Sequence, residues 1–183
     1  MPKRNAASWI NNPKIRQILL IFSTPKTPRQ AEKELSVKKL KLKPFLEQHL
    51  LRCLNPECRK GRFYILTDKA RECLKPNCHE FDLNKDWELI GWIMSSPRQR
   101  LVVLRSVNEK KLISEEIRMK ATQLNSHLTR ESTKVILKDL GERKLTDSEI
   151  LERIRFYWIT EFGKKIKDEM AVLSPLAPAL SLS

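Results

Sequence analysis

The pentapeptide FYILT at residues 63–67 returns as FYWIT at 156–160. That recurrence constrains the fold more than any other feature of the chain, because self-similarity at a fixed offset means repeated structural units. A second pair of anchors supports it. SWINNPKIRQILLIF (8–22) aligns with GWIMSSPRQRLVVLR (91–105), with one residue inserted before the second proline. The offset is 83 to 84 residues at the front of each unit and 93 at the back, so the second copy has gained length inside. Two tandem copies follow, over residues 8–80 and 87–172.

Each copy lays out its elements in the same order. In the first, Pro13 opens a helix with Ile15, Ile18, Leu19 and Phe22 at helical spacing. After STPKT, Pro28 opens PRQAEKEL. A third helix near 41–51 carries Phe45, Leu46, Leu50 and Leu51. NPECRKGR is rich in turn formers, FYIL reads as a strand, and Thr67 and Asp68 can cap KARECL. In the second, Pro97 opens a helix with Leu101, Val102, Leu104 and Arg105, and Ser114 caps SEEIRMKA. A third helix over 128–140 buries Val135, Ile136 and Leu140, and FYWI with Thr160 leads into GKKIKDEM. The fold class is mainly α with short β-hairpins. Residues 173–183, uncharged and with two prolines, read as a disordered tail.

Charge bounds the partners. The chain carries 36 Lys and Arg against 22 Asp and Glu, a net charge of +14. The excess is uneven: residues 1–81 hold 18 basic against 7 acidic side chains. A basic half favours a polyanion, since each phosphate neutralised releases condensed counterions. No apolar run approaches the roughly 18 residues of a membrane span, and no apolar stretch follows the basic start, so no membrane partner and a cytoplasmic, nucleoid-associated location are expected. Catalysis is not expected either. There are four glycines and no Gly-rich phosphate loop, His49, His79 and His127 are scattered, and no nucleophile stands beside a base.

NPECRKGRFYILTDKAREC (55–73) resembles the wing strand and closing helix of archaeal winged-helix transcriptional regulators. WIMSSPRQRLVVLRSV (92–107) resembles the first helix of the same group. The resemblance spans both copies and implies tandem winged helix-turn-helix domains that bind double-stranded DNA through third helix and wing. Ala70 stands where the second copy has Gly163, and the second wing, GERKLTDSEILERIR, reads as longer and mixed in charge.

In a helix-turn-helix the third helix enters the major groove. The first copy then offers Lys38, Lys39, Lys41 and Lys43 leading into that helix, Gln48 and His49 on it, and Arg59, Lys60 and Arg62 around the turn glycine Gly61. The second offers Ser126, Arg130, Thr133, Lys134 and Lys138 on one face, with Arg153 and Arg155 before FYWI. Arg130 is the expected guanine reader. A homodimer of the tandem chain is a second partner compatible with this plan. Two alternatives stand beside transcriptional regulation: a protein–protein interaction module on the same fold, and a replication- or chromosome-associated DNA-binding protein.

All four cysteines fall in one window. Cys53 and Cys58, then Cys73 and Cys78, repeat the form C-L-x-P-x-C. Reduced thiols buried on strand and closing helix, one structural zinc on four thiolates, and disulfides all fit the spacing. No cofactor is required, with zinc the alternative.

Overall fold

Side-chain caps start the first helices. In the computed structural model, which describes residues 10–74 and 84–173, Asn12 Oδ1 accepts the Lys14 and Ile15 amides at 3.0 and 3.3 Å. Pro13, whose missing N–H costs nothing at this position, begins α1 (Pro13–Ile21). Thr27 and Gln30 cap each other reciprocally at the start of α2 (Pro28–Glu34). The chain divides into two compact units between Trp92 and Ile93. Both are mixed α/β and mainly helical, each with one small antiparallel sheet.

In the first unit α3 is a single turn, Lys43–Glu47, not the longer helix the leucines suggested. His49 turns left-handed at φ 54°, the Leu50 amide folds back on the Phe45 carbonyl at 2.9 Å, and Leu51 already belongs to β1 (Leu51–Cys53). Strand β2 (Tyr64–Leu66) pairs antiparallel with β1, and α4 (Asp68–Leu74) follows, burying Ala70 and Leu74. Leu19, Phe22, Ala31, Leu50, Leu66 and Ala70 sit fully buried in one cluster. Phe63 and Ile65, also fully buried, lie outside that cluster. Phe63 meets Trp87 of α5 (Trp87–Ser95), ring centroids 5.4 Å apart. The β2 strand is therefore covered on both faces.

The second unit runs from a π turn (Pro97–Leu101) into α6 (Val102–Ser106), β3 (Leu112–Ile113) and α7 (Ser114–Thr122). After these come α8 (Arg130–Glu142), β4 (Thr146–Leu151), β5 (Ile154–Ile159) and α9 (Glu161–Leu173). Its sheet has the order β3-β5-β4, with Leu151 opposite Ile154 at the turn. Ser114 lies inside the first turn of α7 and does not cap it; Glu116 instead accepts the Ile113 amide at 2.9 Å.

The two units share a hydrogen-bond plan, which carries the repeat from sequence into structure. The Thr67 amide bonds the Leu50 carbonyl, and the Thr160 amide bonds that of Leu145. Thr67 Oγ1 donates to the His49 carbonyl at 2.8 Å, and Thr160 Oγ1 to that of Lys144 at 2.7 Å. Each hydroxyl also accepts the amide three residues on, from Ala70 and Gly163. Lys144, like His49, is left-handed, at φ 59°. Leu66 donates to the Phe22 carbonyl as Ile159 does to Asn108, and the Lys26–Tyr64 bridge matches the Leu112–Tyr157 pair of β3 and β5.

These matches also locate the added length. The offset is 86 residues from Phe22 to Asn108, 95 from Leu50 to Leu145, and 93 from Thr67 to Thr160. The gain lies between the second helix and the hairpin, where the 13-residue α8 replaces the five-residue α3. The second hairpin has longer strands, yet spans two residues fewer from root to root. The expectation of a longer second hairpin is corrected in that sense.

Candidate nucleic-acid interface

In the first unit the lysine run is irregular over Lys38, Lys39 and Lys41 and enters α3 at Lys43. Leu40 is half-buried and Leu42 buried, while Lys39, Lys41 and Lys43 are exposed, a period of two over KLKLK. The alternation turns the two leucines inward and leaves the lysines on the solvent side. Lys38 is exposed as well. Glu32 fixes the segment by accepting the Leu40 amide at 2.9 Å. Gln48, half-buried, and His49, exposed, were expected on the third helix. They lie instead in the left-handed turn that ends it.

The basic turn is part of a compact loop, residues 54–63, held from within by Asn55. That side chain is fully buried; its Oδ1 accepts the Phe63 amide at 2.7 Å and its Nδ2 donates to the Gly61 carbonyl at 3.1 Å. Gly61 takes φ 71°, the conformation that favours glycine. Arg62 is committed to the loop, donating to the carbonyls of Cys58 at 2.6 Å and Pro56 at 3.1 Å. Arg59 and Lys60 are exposed. The loop sits on α5 at Gly91, where an added Cβ would lie 2.0 Å from Asn55 Nδ2 and 2.9 Å from Cys58 Sγ. A glycine inside a helix costs about 1 kcal/mol relative to alanine, and here it makes room for the loop.

The described cysteines do not cluster. Cys53 is on β1, half-buried, with burial raising its thiol pKa. Cys58 Sγ donates to Glu88 Oε2 at 3.0 Å; burial first, then that carboxylate, push the thiol up to about 11. Cys73 is exposed, correcting the inner-face placement: Ala70 and Leu74 take the buried side of α4, leaving Cys73 off it. Among the described residues no three His, Cys, Asp or Glu side chains are placed to hold a metal ion. Cys78 and His79 lie outside the described residues, as does most of the tail expected to be disordered.

In the second unit α8 is an amphipathic helix capped by Thr129, whose Oγ1 accepts the Ser132 amide at 3.1 Å. Its buried stripe is Thr133, Ile136, Leu137 and Leu140. Two expectations are corrected here. Thr133 is fully buried, its hydroxyl donating to the Thr129 carbonyl at 2.9 Å, and it is not on the exposed face. Val135, expected in the core, is 59% exposed, and Leu137 takes its place. Arg130, Lys134 and Lys138 are exposed around Val135, and Ser126 is exposed in the turn before the helix. Lys138 lies 3.8 Å from Glu142, a solvent-exposed pair of little energetic weight.

The ribbon after α8 differs from the loop of the first unit. Glu152 and Arg153 make its two-residue turn at φ 49° and 67°. Arg153 and Arg155 are exposed, as are Ile150, Leu151 and Ile154. Nearer the root, Lys111 pairs with Glu149 and lies 5.4 Å over the Trp158 ring. The exposed aliphatics escaped sequence reading because β-branched and apolar residues in a strand signal burial by default.

A cleft of about 400 Å³ is lined by Asn108, Glu109, Lys110, Ile159, Lys164, Lys167 and Asp168, and two of its three lysines are already engaged. Lys164 pairs with Glu109 at 2.7 Å and Glu161 at 2.6 Å, and Lys167 donates to the Val107 carbonyl at 3.0 Å. No helix among the described residues is long and apolar enough to cross a membrane. Comparison with protein-family models, curated proteins and solved structures yields no match.

Proposed function

We propose that the chain is a double-stranded-DNA-binding protein of two fused winged helix-turn-helix units, acting as a transcriptional regulator. The observation that carries this reading is α8 with its ribbon. A 13-residue helix displays Arg130, Lys134 and Lys138 to solvent and leads within four residues into a projecting two-stranded hairpin. A helix of that length reaches base edges in a major groove while the hairpin reaches the flanking stretch of duplex. In the first unit the cations lie mostly on irregular segments, Lys38, Lys39 and Lys41 and then Arg59 with Lys60, with Lys43 opening the one-turn α3. That unit supplies phosphate contacts, which position the protein and carry affinity more than specificity.

The test is anisotropy titration of a mixed duplex pool across a salt series. Affinity should fall steeply with salt, and Arg59→Ala with Lys60→Ala should make the slope shallower by about 2. Arg130→Ala should instead relax preference at a selected site, at a cost of roughly 1–3 kcal/mol. Absence of binding at low salt sinks the proposal. A second reading, a protein-interaction module, draws on the exposed Met119, Leu124, Phe162 and Val172 of the second unit. Salt-insensitive retention of a protein partner would favour it.

A further inference from the structure

We propose that the tip of the β4–β5 ribbon is an apolar wedge that enters the minor groove of duplex DNA and opens a base step. The inference rests on the DNA-binding reading above and goes beyond it. Strand β3 supports β5 only at Tyr157 and Phe156, so residues 150–155 extend past the three-stranded part of the sheet. All six are exposed, and three are branched aliphatics: Ile150 at 60%, Leu151 at 50% and Ile154 at 49%.

Their arrangement selects the occupant. Leu151 and Ile154 are direct cross-strand partners and share one face, while Ile150 stands opposite Arg155 on the other. A ribbon made to lie on a flat protein surface needs one apolar face; this tip carries aliphatics on both, Leu151 with Ile154 on one and Ile150 beside Arg155 on the other, as suits a wedge between two stacked surfaces. The sheet edge is also unsuited to adding a partner's strand. Asp147 Oδ1 covers the Ser148 amide at 2.8 Å, and Asp147 and Glu149 place charge along β4. Three half-exposed side chains fall far short of the roughly 800 Å² per partner that a stable dimer buries. Arg153 in the turn and Arg155 beside it put two cations where phosphates flank a groove, against one anion, Glu152, the other turn residue. Strands about 4.8 Å apart, with their side chains, exceed a minor groove about 6 Å wide. Entry must widen the groove, and apolar wedges do so by unstacking a step and bending the duplex toward the major groove.

The experiment uses the full chain on short duplexes carrying end-placed energy-transfer dyes, with 2-aminopurine as a stacking reporter. Wild type should shorten the end-to-end distance and raise 2-aminopurine emission at one step. Leu151→Ser with Ile154→Ser should bind within about threefold, with the same salt slope, and lose both signals. Ile150→Ser, a single exposed change, should lose part of them and guards against a folding defect in the double variant. Binding by wild type without bending overturns the wedge and leaves the DNA-binding reading intact. Bending unchanged in the double variant overturns it equally. So does a wild-type dimer, seen by sedimentation, that the double variant converts to monomer. Absence of any DNA binding overturns both.

Discussion

The two hairpins share a root and part company at the tip. At each root a threonine amide and hydroxyl bond two carbonyls in the turn that follows the third helix, those of Leu50 and His49 or of Leu145 and Lys144, and His49 and Lys144 turn left-handed. Beyond that point the first hairpin spreads into a ten-residue loop packed on α5, and the second continues as six-residue strands joined by two residues. A conserved plan of backbone bonds therefore fixes where a hairpin starts and leaves its far end free to take another surface. The first far end is basic and pinned; the second is apolar and projecting.

Substitutions at the two packing glycines break this comparison most sharply. At Gly163 an added Cβ would fall 2.0 Å from the Leu145 carbonyl oxygen, a backbone atom at the shared root. Gly163→Ala should cost about 3 kcal/mol in urea unfolding. At Gly91 the nearest atom belongs to the Asn55 side chain. Gly91→Ala should cost less, about 2 kcal/mol, because a side chain yields where a carbonyl cannot. Equal losses would mean that the first loop is held as rigidly as a root.

Arg62 and its neighbour Arg59 sharpen the comparison at smaller scale. Arg62→Ala should destabilise by about 1 kcal/mol through the two carbonyl contacts it loses, and Arg59→Ala should leave stability unchanged. Amide exchange across residues 54–66 would report the difference. A pH effect follows from Cys58. Its folded pKa is raised from 9.0 to about 11, so the folded state holds the thiol proton more tightly. The associated stability is complete below about pH 9 and is lost as pH rises through 11. At pH 8 alkylation should reach exposed Cys73 well before Cys58, and Glu88→Gln should narrow that gap.

Much of this plan was legible because caps and prolines act locally. Pro13, Pro28, Thr67 and Thr160 all stand where sequence put them. The errors came from periodicity over short runs. Phe45, Leu46, Leu50 and Leu51 fit a helix, but the last two serve a turn and a strand. On α8 either Val135 or Leu137 could flank Ile136; only the packed fold chooses Leu137. Asn55 gave no signal, since a buried asparagine bracing a loop reads in sequence as an ordinary turn former. The apolar ribbon tip was hidden for the opposite reason, its residues being those expected indoors.

The left-handed turns at His49 and Lys144 have a use outside recognition altogether. Holding an ordinary side chain in that conformation costs roughly 1–2 kcal/mol, and glycine escapes the cost. Both side chains are exposed. A design campaign for a hardier variant would begin with glycine at these two positions, each expected to raise the melting temperature by a few degrees. The backbone angles alone thus mark where thermal resilience can be added without touching the core.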